Sequence, residues 1–216
     1  MKVLVTGGAG FIGSHIVDEL LKSNYRVRII DNFVTGKIEN IQHNLKKIEV
    51  VKGDIRDEKL VGKTMKGVDF VFHEAALRSV ERSIDDPIST NDVNITGTLN
   101  LLIAAKNEKV KRFIYASSSS VYGDTEELPK RETQLPMPVS PYAVSKLTGE
   151  HYCHVFAKTF NLETVSLRYF NVFGPRQDPK SKYAVVVPIF IYSGLKNKPY
   201  EVHSDGKQSR DFTYID

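Results

Sequence analysis

The sequence predicts an α/β fold, a doubly wound parallel sheet. Three features predict it. Short apolar, β-branched runs alternate with stretches of helical spacing. A glycine-rich turn joins the first run to the first helix. The stretches with recognisable chemistry fall just after such runs, where the carboxyl ends of parallel strands gather.

Residues 2–6 (KVLVT) read as a strand buried on both faces. Gly7, Gly8, Ala9, Gly10, Phe11, Ile12 and Gly13 follow at once. Helical spacing then runs through Ile16, Val17, Leu20 and Leu21, and 27–30 is a second strand with Asp31 at its end. The glycines stand as G-x-x-G-x-x-G. Gly7 permits the tight turn, Gly10 lets a pyrophosphate approach the backbone, and Gly13 lets helix and strand pack closely. The helix start offers N–H groups and a partial positive charge to phosphate. A carboxylate at Asp31 suits a ribose diol and repels a 2′-phosphate, so the reading is a Rossmann-type site for NAD rather than NADP.

Residues 48–52 form a third strand, ending in Gly53, Asp54 and Ile55, and 57–65 a helix. The fourth strand, 68–73, leads into Glu74, Ala75, Ala76 and Leu77, whose small residues leave room for a cofactor. One long helix is expected over 87–107, and a fifth strand over 113–116 runs into the serines 117–120. Residues 124–140, with Pro129, Pro136 and Pro138, read as a loop over the site. Pro141 opens a helix, and 164–167 is a sixth strand.

Tyr142 and Lys146 lie four residues apart on that helix, one turn above each other on one face. The ammonium favours phenolate over phenol, so it lowers the tyrosine from about 10 toward neutrality. Such a tyrosine takes a proton from a carbinol hydroxyl. The spacing alone is weak, and it gains weight from the glycine turn and Asp31 upstream.

Composition bounds the class. With 216 residues, 41% hydrophobic, the chain can bury a sizeable core. Its formal charge of +4 is spread along the sequence, without the basic cluster of a nucleic-acid binder. No run approaches the roughly 20 apolar residues of a membrane span, and no signal-peptide core opens the chain. The single cysteine, Cys153, excludes an internal disulfide. Cys153 and His154 have no nearby ligands, so no metal is expected. The expectation is a soluble cytoplasmic protein.

Together GGAGFIG (7–13), Asp31, Asp54-Ile55, HEAA (73–76), Asn94, SSSSVYG (117–123), Tyr142 to Lys146 and LRYFNVFGPRQDP (167–179) resemble the extended short-chain dehydrogenase/reductase family. Within it the chain looks most like the NAD-dependent UDP-sugar 4-epimerases, those of UDP-N-acetylglucosamine above all, through 77–102 and 115–124. The resemblance implies an enzyme that epimerises carbon 4 of a UDP-hexose through a transient 4-keto sugar. The hexose pair is UDP-N-acetylglucosamine/UDP-N-acetylgalactosamine or UDP-glucose/UDP-galactose. It implies an NAD-binding domain over 1–175 and the beginning of a substrate domain over 176–216. Relatives continue beyond the last residue here, Asp216, so a shortened chain or an incomplete one is expected.

The resemblance also assigns roles. Gly7, Gly10, Phe11, Ile12 and Gly13 would hold the pyrophosphate turn. Asp31, Asn32 and Gly36 would serve the adenosine ribose, and Asp54 and Ile55 would flank the adenine. Ala75, Leu77 and Asn94 would line the dinucleotide, and Tyr169 and Phe170 would border the nicotinamide. Ser118, Tyr142 and Lys146 would be catalytic, with Lys146 also on the nicotinamide ribose. Asn171, Val187 and Arg210 would meet the UDP, alongside Ser118 and Tyr142 at the sugar. Dehydratase and decarboxylase relatives place an acid just after the serine, where this chain has Ser119 and Ser120. A UDP-glucuronate 4-epimerase needs the same apparatus and stays open. A binding-only NAD sensor has no need of an intact Ser118, Tyr142 and Lys146. A homodimer through the helices near 90–106 and 141–158 is implied, with Leu99, Leu102, Val155 and Phe156 available to it.

Overall fold

The computed structural model describes residues 1–178, 186–200, 202 and 205–216. It divides into two compact units, Met1–Tyr169 and Phe170–Asp216.

The first unit is a six-stranded sheet. In chain order the strands are β1 (Lys2–Thr6), β2 (Arg26–Asp31), β3 (Ile48–Lys52), β4 (Phe70–His73), β5 (Arg112–Ser118) and β6 (Thr164–Tyr169). They pair in the order β3-β2-β1-β4-β5-β6, every pair parallel. The order reverses between β1 and β4, the crevice where sheets of this kind bind nucleotides. Successive side chains of a strand face opposite ways. Val3 and Val5 of β1 therefore pack with Val27, Ile29, Val17 and Leu20 on one side. Leu4 packs on the other with Ile30, Val71, Phe113, Leu101 and Phe156. Burial on both faces explains why these strands read as continuous apolar runs.

Helices α1 (Phe11–Lys22), α2 (Glu58–Met65), α3 (Val80–Asp85), α4 (Pro87–Asn91), α5 (Gly97–Asn107) and α6 (Pro141–Phe160) cover the sheet. The helical stretch expected over 87–107 is present as continuous αR backbone, with one local widening. Residues Asp92–Thr96 form a wide π-type turn between α4 and α5. Such turns are rare and concentrate at functional positions. The short helix α3 was also not expected, because its six residues carry too little periodicity to read. Helix α6 starts as its sequence predicts, with Pro141 in the first turn and the Ser140 hydroxyl accepting from the Ala143 N–H at 3.2 Å.

A buried chain of hydrogen bonds ties β1, β4 and α5 together. The Ala75 N–H donates to Thr6 Oγ1 at 3.1 Å, and Thr6 Oγ1 lies 2.7 Å from His73 Nδ1. His73 Nε2 lies 2.8 Å from Thr98 Oγ1, whose proton goes to the Asn94 carbonyl at 2.6 Å. Since Thr98 spends its proton on Asn94, Nε2 must donate, and Nδ1 then accepts from Thr6. This arrangement suits the neutral imidazole, and burial holds His73 down to about 3.

In the second unit β7 (Val172–Phe173) and β8 (Thr213–Tyr214) form a parallel pair, joined by α7 (Val186–Leu195). Among the described residues no helix is long and apolar enough to cross a membrane.

The His73 burial has a measurable consequence. The unfolded chain takes up a proton near the ordinary value of 6.5, while the folded state refuses it until about 3. The unfolded state therefore binds the extra proton between those values, and stability falls as pH drops through that window. Denaturant unfolding should show about 1.4 kcal/mol lost per pH unit from this proton. A His73→Asn variant, weaker at neutral pH, should lack that component of the slope.

Candidate active site

The site is assembled at the carboxyl ends of β1, β4, β5 and β6. The glycine turn comes first. Gly7 has φ +67°, and a Cβ there would lie 2.8 Å from the Ala75 nitrogen, so the turn and the end of β4 touch backbone to backbone. A Cβ on Gly13 would lie 2.2 Å from the Gly7 carbonyl, which confirms the close helix packing the spacing predicts. Gly10 is the N-cap of α1, and no side chain caps that end. No acidic residue occupies the first turn either. The N–H groups at Phe11, Ile12 and Gly13 are thus left to an anion. This uncapped, glycine-lined end fits a pyrophosphate.

Asp31 is buried, and its carboxylate binds the loop as well as facing the site. It accepts from the Ala9 N–H at 3.0 Å and the Phe33 N–H at 2.8 Å. Burial raises its pKa, partly offset by those bonds. A Cβ at Gly36 would lie 2.7 Å from Asp31 Oδ1, so Gly36 keeps the carboxylate's surroundings open. Asp54 accepts a fork from Arg56 at 2.9 and 2.8 Å and a bond from the Asn32 amide at 3.0 Å. The Arg56 guanidinium holds it down to about 2. Asn32 and Asp54 thus join the loops after β2 and β3. The Ile55 side chain belongs to the core, against Gly97 of α5.

Ala75 and Leu77 lie on the strand-end loop of β4. Asn94, in the π-type turn, clamps that loop: its amide accepts from Leu77 N–H at 2.8 Å and donates to the Leu77 carbonyl at 3.1 Å. It also donates to Ser145 Oγ at 3.0 Å. Ser145 in turn donates to the Tyr142 carbonyl at 2.7 Å. Asn94 is fully buried, and its amide is taken up in positioning the β4 loop and α6.

Tyr142 and Lys146 point from α6 toward the end of β5. The Lys146 ammonium donates to the Ala116 carbonyl at 2.7 Å and stands 5.9 Å from the Tyr142 ring centre. Burial pushes Lys146 down to about 8. Burial also raises Tyr142, against a hydrogen bond with Ser118 and the charge of Arg78, which pull it back. In this structure the lysine therefore does not bring the phenol to neutrality, as the four-residue spacing suggests. Desolvation dominates both groups. Ser118 Oγ accepts from Ser120 N–H at 3.2 Å and from the Ser120 hydroxyl at 2.9 Å.

Three features of the site escape the sequence. Glu74 accepts from the Tyr169 hydroxyl at 3.2 Å, and burial lifts it to about 7. Glu150, four residues beyond Lys146, takes a fork from Arg168 at 2.9 and 2.8 Å. Its Oε1 also takes the Ser117 hydroxyl at 2.5 Å. Arg168 lies over the Tyr122 ring at 4.6 Å. The i, i+4, i+8 spacing of Tyr142, Lys146 and Glu150 was a readable signal that Glu150 faces the sheet.

The remaining assigned residues lie in the second unit. Phe170 is its first residue. The Asn171 amide donates to the Asp211 carbonyl at 2.8 Å, and Arg210 is exposed. Val187 lines a cavity of about 430 Å³ with Phe173, Pro175, Ile191, Tyr192 and Tyr214. Among the described residues no cluster of histidine, cysteine and acidic side chains could hold a metal.

The family profile for NAD dependent epimerase/dehydratase proteins matches residues 3–216. The chain belongs to the NAD-dependent epimerase/dehydratase family. Its cofactor is NAD. The chain is 39% identical over 220 residues to the UDP-glucose 4-epimerase of Mycolicibacterium smegmatis, spanning 100% of this chain and 70% of that protein. The structure of UDP-N-acetylglucosamine 4-epimerase from Methanobrevibacter ruminantium, in complex with UDP-N-acetylmuramic acid, superposes with a TM-score of 0.95 at 46% identity. That match covers 99% of this chain and 69% of the other. UDP-glucuronic acid 4-epimerase from Bacillus cereus, solved with UDP-glucuronic acid and NAD, gives 0.91 at 43% identity over 100% of this chain and 69% of its own.

The Glu150–Arg168 pair fixes the α6 face that carries the family's Tyr-x-x-x-Lys. Both side chains are largely buried, at 14% and 16% exposure. Removing one partner of a buried pair leaves an uncompensated charge. Glu150→Ala should cost about 3–5 kcal/mol in chemical unfolding, and activity should fall with it as Ser117 and α6 lose their anchor.

Proposed function

We propose that the protein epimerises carbon 4 of a UDP-hexose and returns the cofactor unchanged. The observation that carries this reading is the meeting of Ser118, Tyr142 and Lys146 at the end of β5, beside an uncapped glycine turn in a chain of this family. The names of the matched relatives support it.

NAD would be held by the glycine turn, with Asp31, Asn32 and Gly36 at its adenosine ribose and Asp54 and the Ile55 backbone beside the adenine. Ala75 and Leu77 would line it, with Asn94 holding their loop in place, and Tyr169 and Phe170 would border the nicotinamide. When bound, NAD supplies a positively charged hydride acceptor that gives the hydride back. The chain's own groups handle the proton. Tyr142 as phenolate removes the proton of the 4-hydroxyl, and Ser118 hydrogen-bonds the same oxygen as charge develops. The buried Lys146 ammonium supports the phenolate through its charge. The sugar carbonyl so formed must turn its other face before Tyr142 returns the proton. Binding energy therefore belongs at the nucleotide end, where Asn171, Val187 and Arg210 are proposed to hold the UDP. Arg210 has the most direct rationale, a guanidinium for a diphosphate.

Ser119 and Ser120, which with Val121 and Tyr122 form a short turn after β5, place no carboxylate where elimination or decarboxylation would use one. UDP-N-acetylglucosamine and UDP-glucose are the proposed substrate types. UDP-glucuronate is the second reading, favoured by the 43% identity to the Bacillus cereus enzyme. The proposal also includes a division into an NAD-binding domain over 1–175 and a substrate domain from 176, a cytoplasmic setting, and a homodimer through α6 and its neighbours. Of the apolar residues named for that contact, Leu102 and Phe156 belong to the core. Val155 is 46% exposed, and Val144, three turns earlier on the same face, is also 46% exposed.

Coupled assays with UDP-glucose, UDP-N-acetylglucosamine and UDP-glucuronate test the reading. Interconversion of one of them without net reduction of NAD is expected. Tyr142→Phe should lower the rate by about 100- to 10,000-fold, with NAD still bound. Full activity in Tyr142→Phe would refute the assigned base.

A further inference from the structure

Glu74 has no part in the proton transfer described above, yet it lies inside the site. Its backbone is fixed: the Glu74 N–H donates to the Thr6 carbonyl at 3.2 Å, and the next N–H, of Ala75, donates to Thr6 Oγ1 at 3.1 Å. A Cβ on Gly7 would lie 3.1 Å from the Glu74 carbonyl carbon, so the residue abuts the glycine turn. The side chain reaches across the end of β5 to the Tyr169 hydroxyl on β6, at 3.2 Å. His73 pairs with Tyr115 in the β4–β5 register, so Glu74 follows at the level of Ala116, whose neutral carbonyl takes the Lys146 ammonium from α6. A buried ammonium held by a neutral carbonyl requires an opposite charge nearby. Glu74, one residue past the His73–Tyr115 pairing and reaching toward β6, is placed to supply that charge, which favours the ammonium.

We propose that Glu74 is a positioning residue, the buried counter-charge that keeps Lys146 an ammonium and is itself oriented by Tyr169. The role rests on the proposed catalytic use of Tyr142 and Lys146. His73 on β4 is neutral, kept so by burial and by the Lys146 charge. Tyr115 on β5 donates to the Lys146 carbonyl at 3.4 Å and is held un-ionised by burial. Tyr142 shares α6, and Tyr169 lies on β6, driven upward by burial and by Glu74. Arg78, after β4, acts on Tyr142 and favours its phenolate. None of these replaces a carboxylate.

The signs follow. The Glu74 carboxylate raises the Lys146 pKa against the desolvation that lowers it. Ionised Glu74 also opposes the Tyr142 phenolate directly. Loss of the charge must therefore make Lys146 give up its proton at lower pH. Because the phenolate is supported by that ammonium, the alkaline limb of the rate profile must move down with it.

The test follows Lys146 itself. NMR titration of lysine-labelled protein, with the Nζ signal identified through Lys146→Arg, reports its midpoint without reference to turnover. In Glu74→Gln the midpoint should fall by about one unit, and Glu74→Asp should restore most of it. The alkaline limb of kcat should shift by the same amount in Glu74→Gln. A Lys146 midpoint unchanged in folded Glu74→Gln would overturn the proposal, even if the rate falls. Should that variant not fold, the wild-type Lys146 signal must register a step as Glu74 ionises, and a single-step titration would overturn the proposal. A wild-type protein that converts no UDP-hexose would instead refute the proposed function, while the Lys146 titration would still decide the role of Glu74.

Discussion

The site depends on one costly placement: the Lys146 ammonium, buried at the end of β5 against the Ala116 carbonyl. Removing a charge from water is expensive unless charge and hydrogen bonds replace the water. Much of the surrounding structure reads as a response to that expense. Glu74 brings an opposite charge from β4, and Tyr169 orients it from β6. Glu150, one turn beyond Lys146, is tied to Arg168 and Ser117, which stops α6 from shifting along the sheet. The same burial raises the neighbouring Tyr142 phenol, against the Ser118 hydrogen bond and the Arg78 charge.

The parallel sheet makes this arrangement possible. Strands running the same way bring their ends to one edge, so residues far apart in sequence meet there. The His73 chain of hydrogen bonds extends the coupling to the cofactor side. It runs from the Ala75 amide through Thr6, His73 and Thr98 to Asn94, and Asn94 continues to Ser145 between Tyr142 and Lys146. The β4 loop, the end of β1 and α6 are thereby held by a single buried polar network. Such networks rigidify a site when each member is satisfied.

The fold was legible because its signals are local. Apolar β-branched runs, the Gly7–Gly10–Gly13 spacing and Pro141 after Ser140 each act within a few residues, and the strands and α6 stand where these place them. Asp31 and the Tyr142–Lys146 pair were legible for the same reason. What escaped depends on distant partners. The π-type turn at Asp92–Thr96 exists to present Asn94 to Leu77 and Ser145, and nothing in its own apolar spacing marks it. Glu74 read as part of a small-residue loop, since its meaning comes from Tyr169, 95 residues away. Ile55 sat next to Asp54 in a motif, yet its side chain is claimed by the core. The effect of Lys146 on Tyr142 was overestimated because spacing says nothing about desolvation.

In the proposed reaction hydrogen leaves carbon 4 of a UDP-hexose and returns to that same carbon. A UDP-hexose deuterated at carbon 4 tests this directly, with the epimeric product analysed by mass spectrometry and NMR. The predicted result is inversion at carbon 4 with the deuterium retained there and no net reduction of NAD. Deuterium lost to water, or inversion accompanied by stoichiometric reduced cofactor, would contradict it.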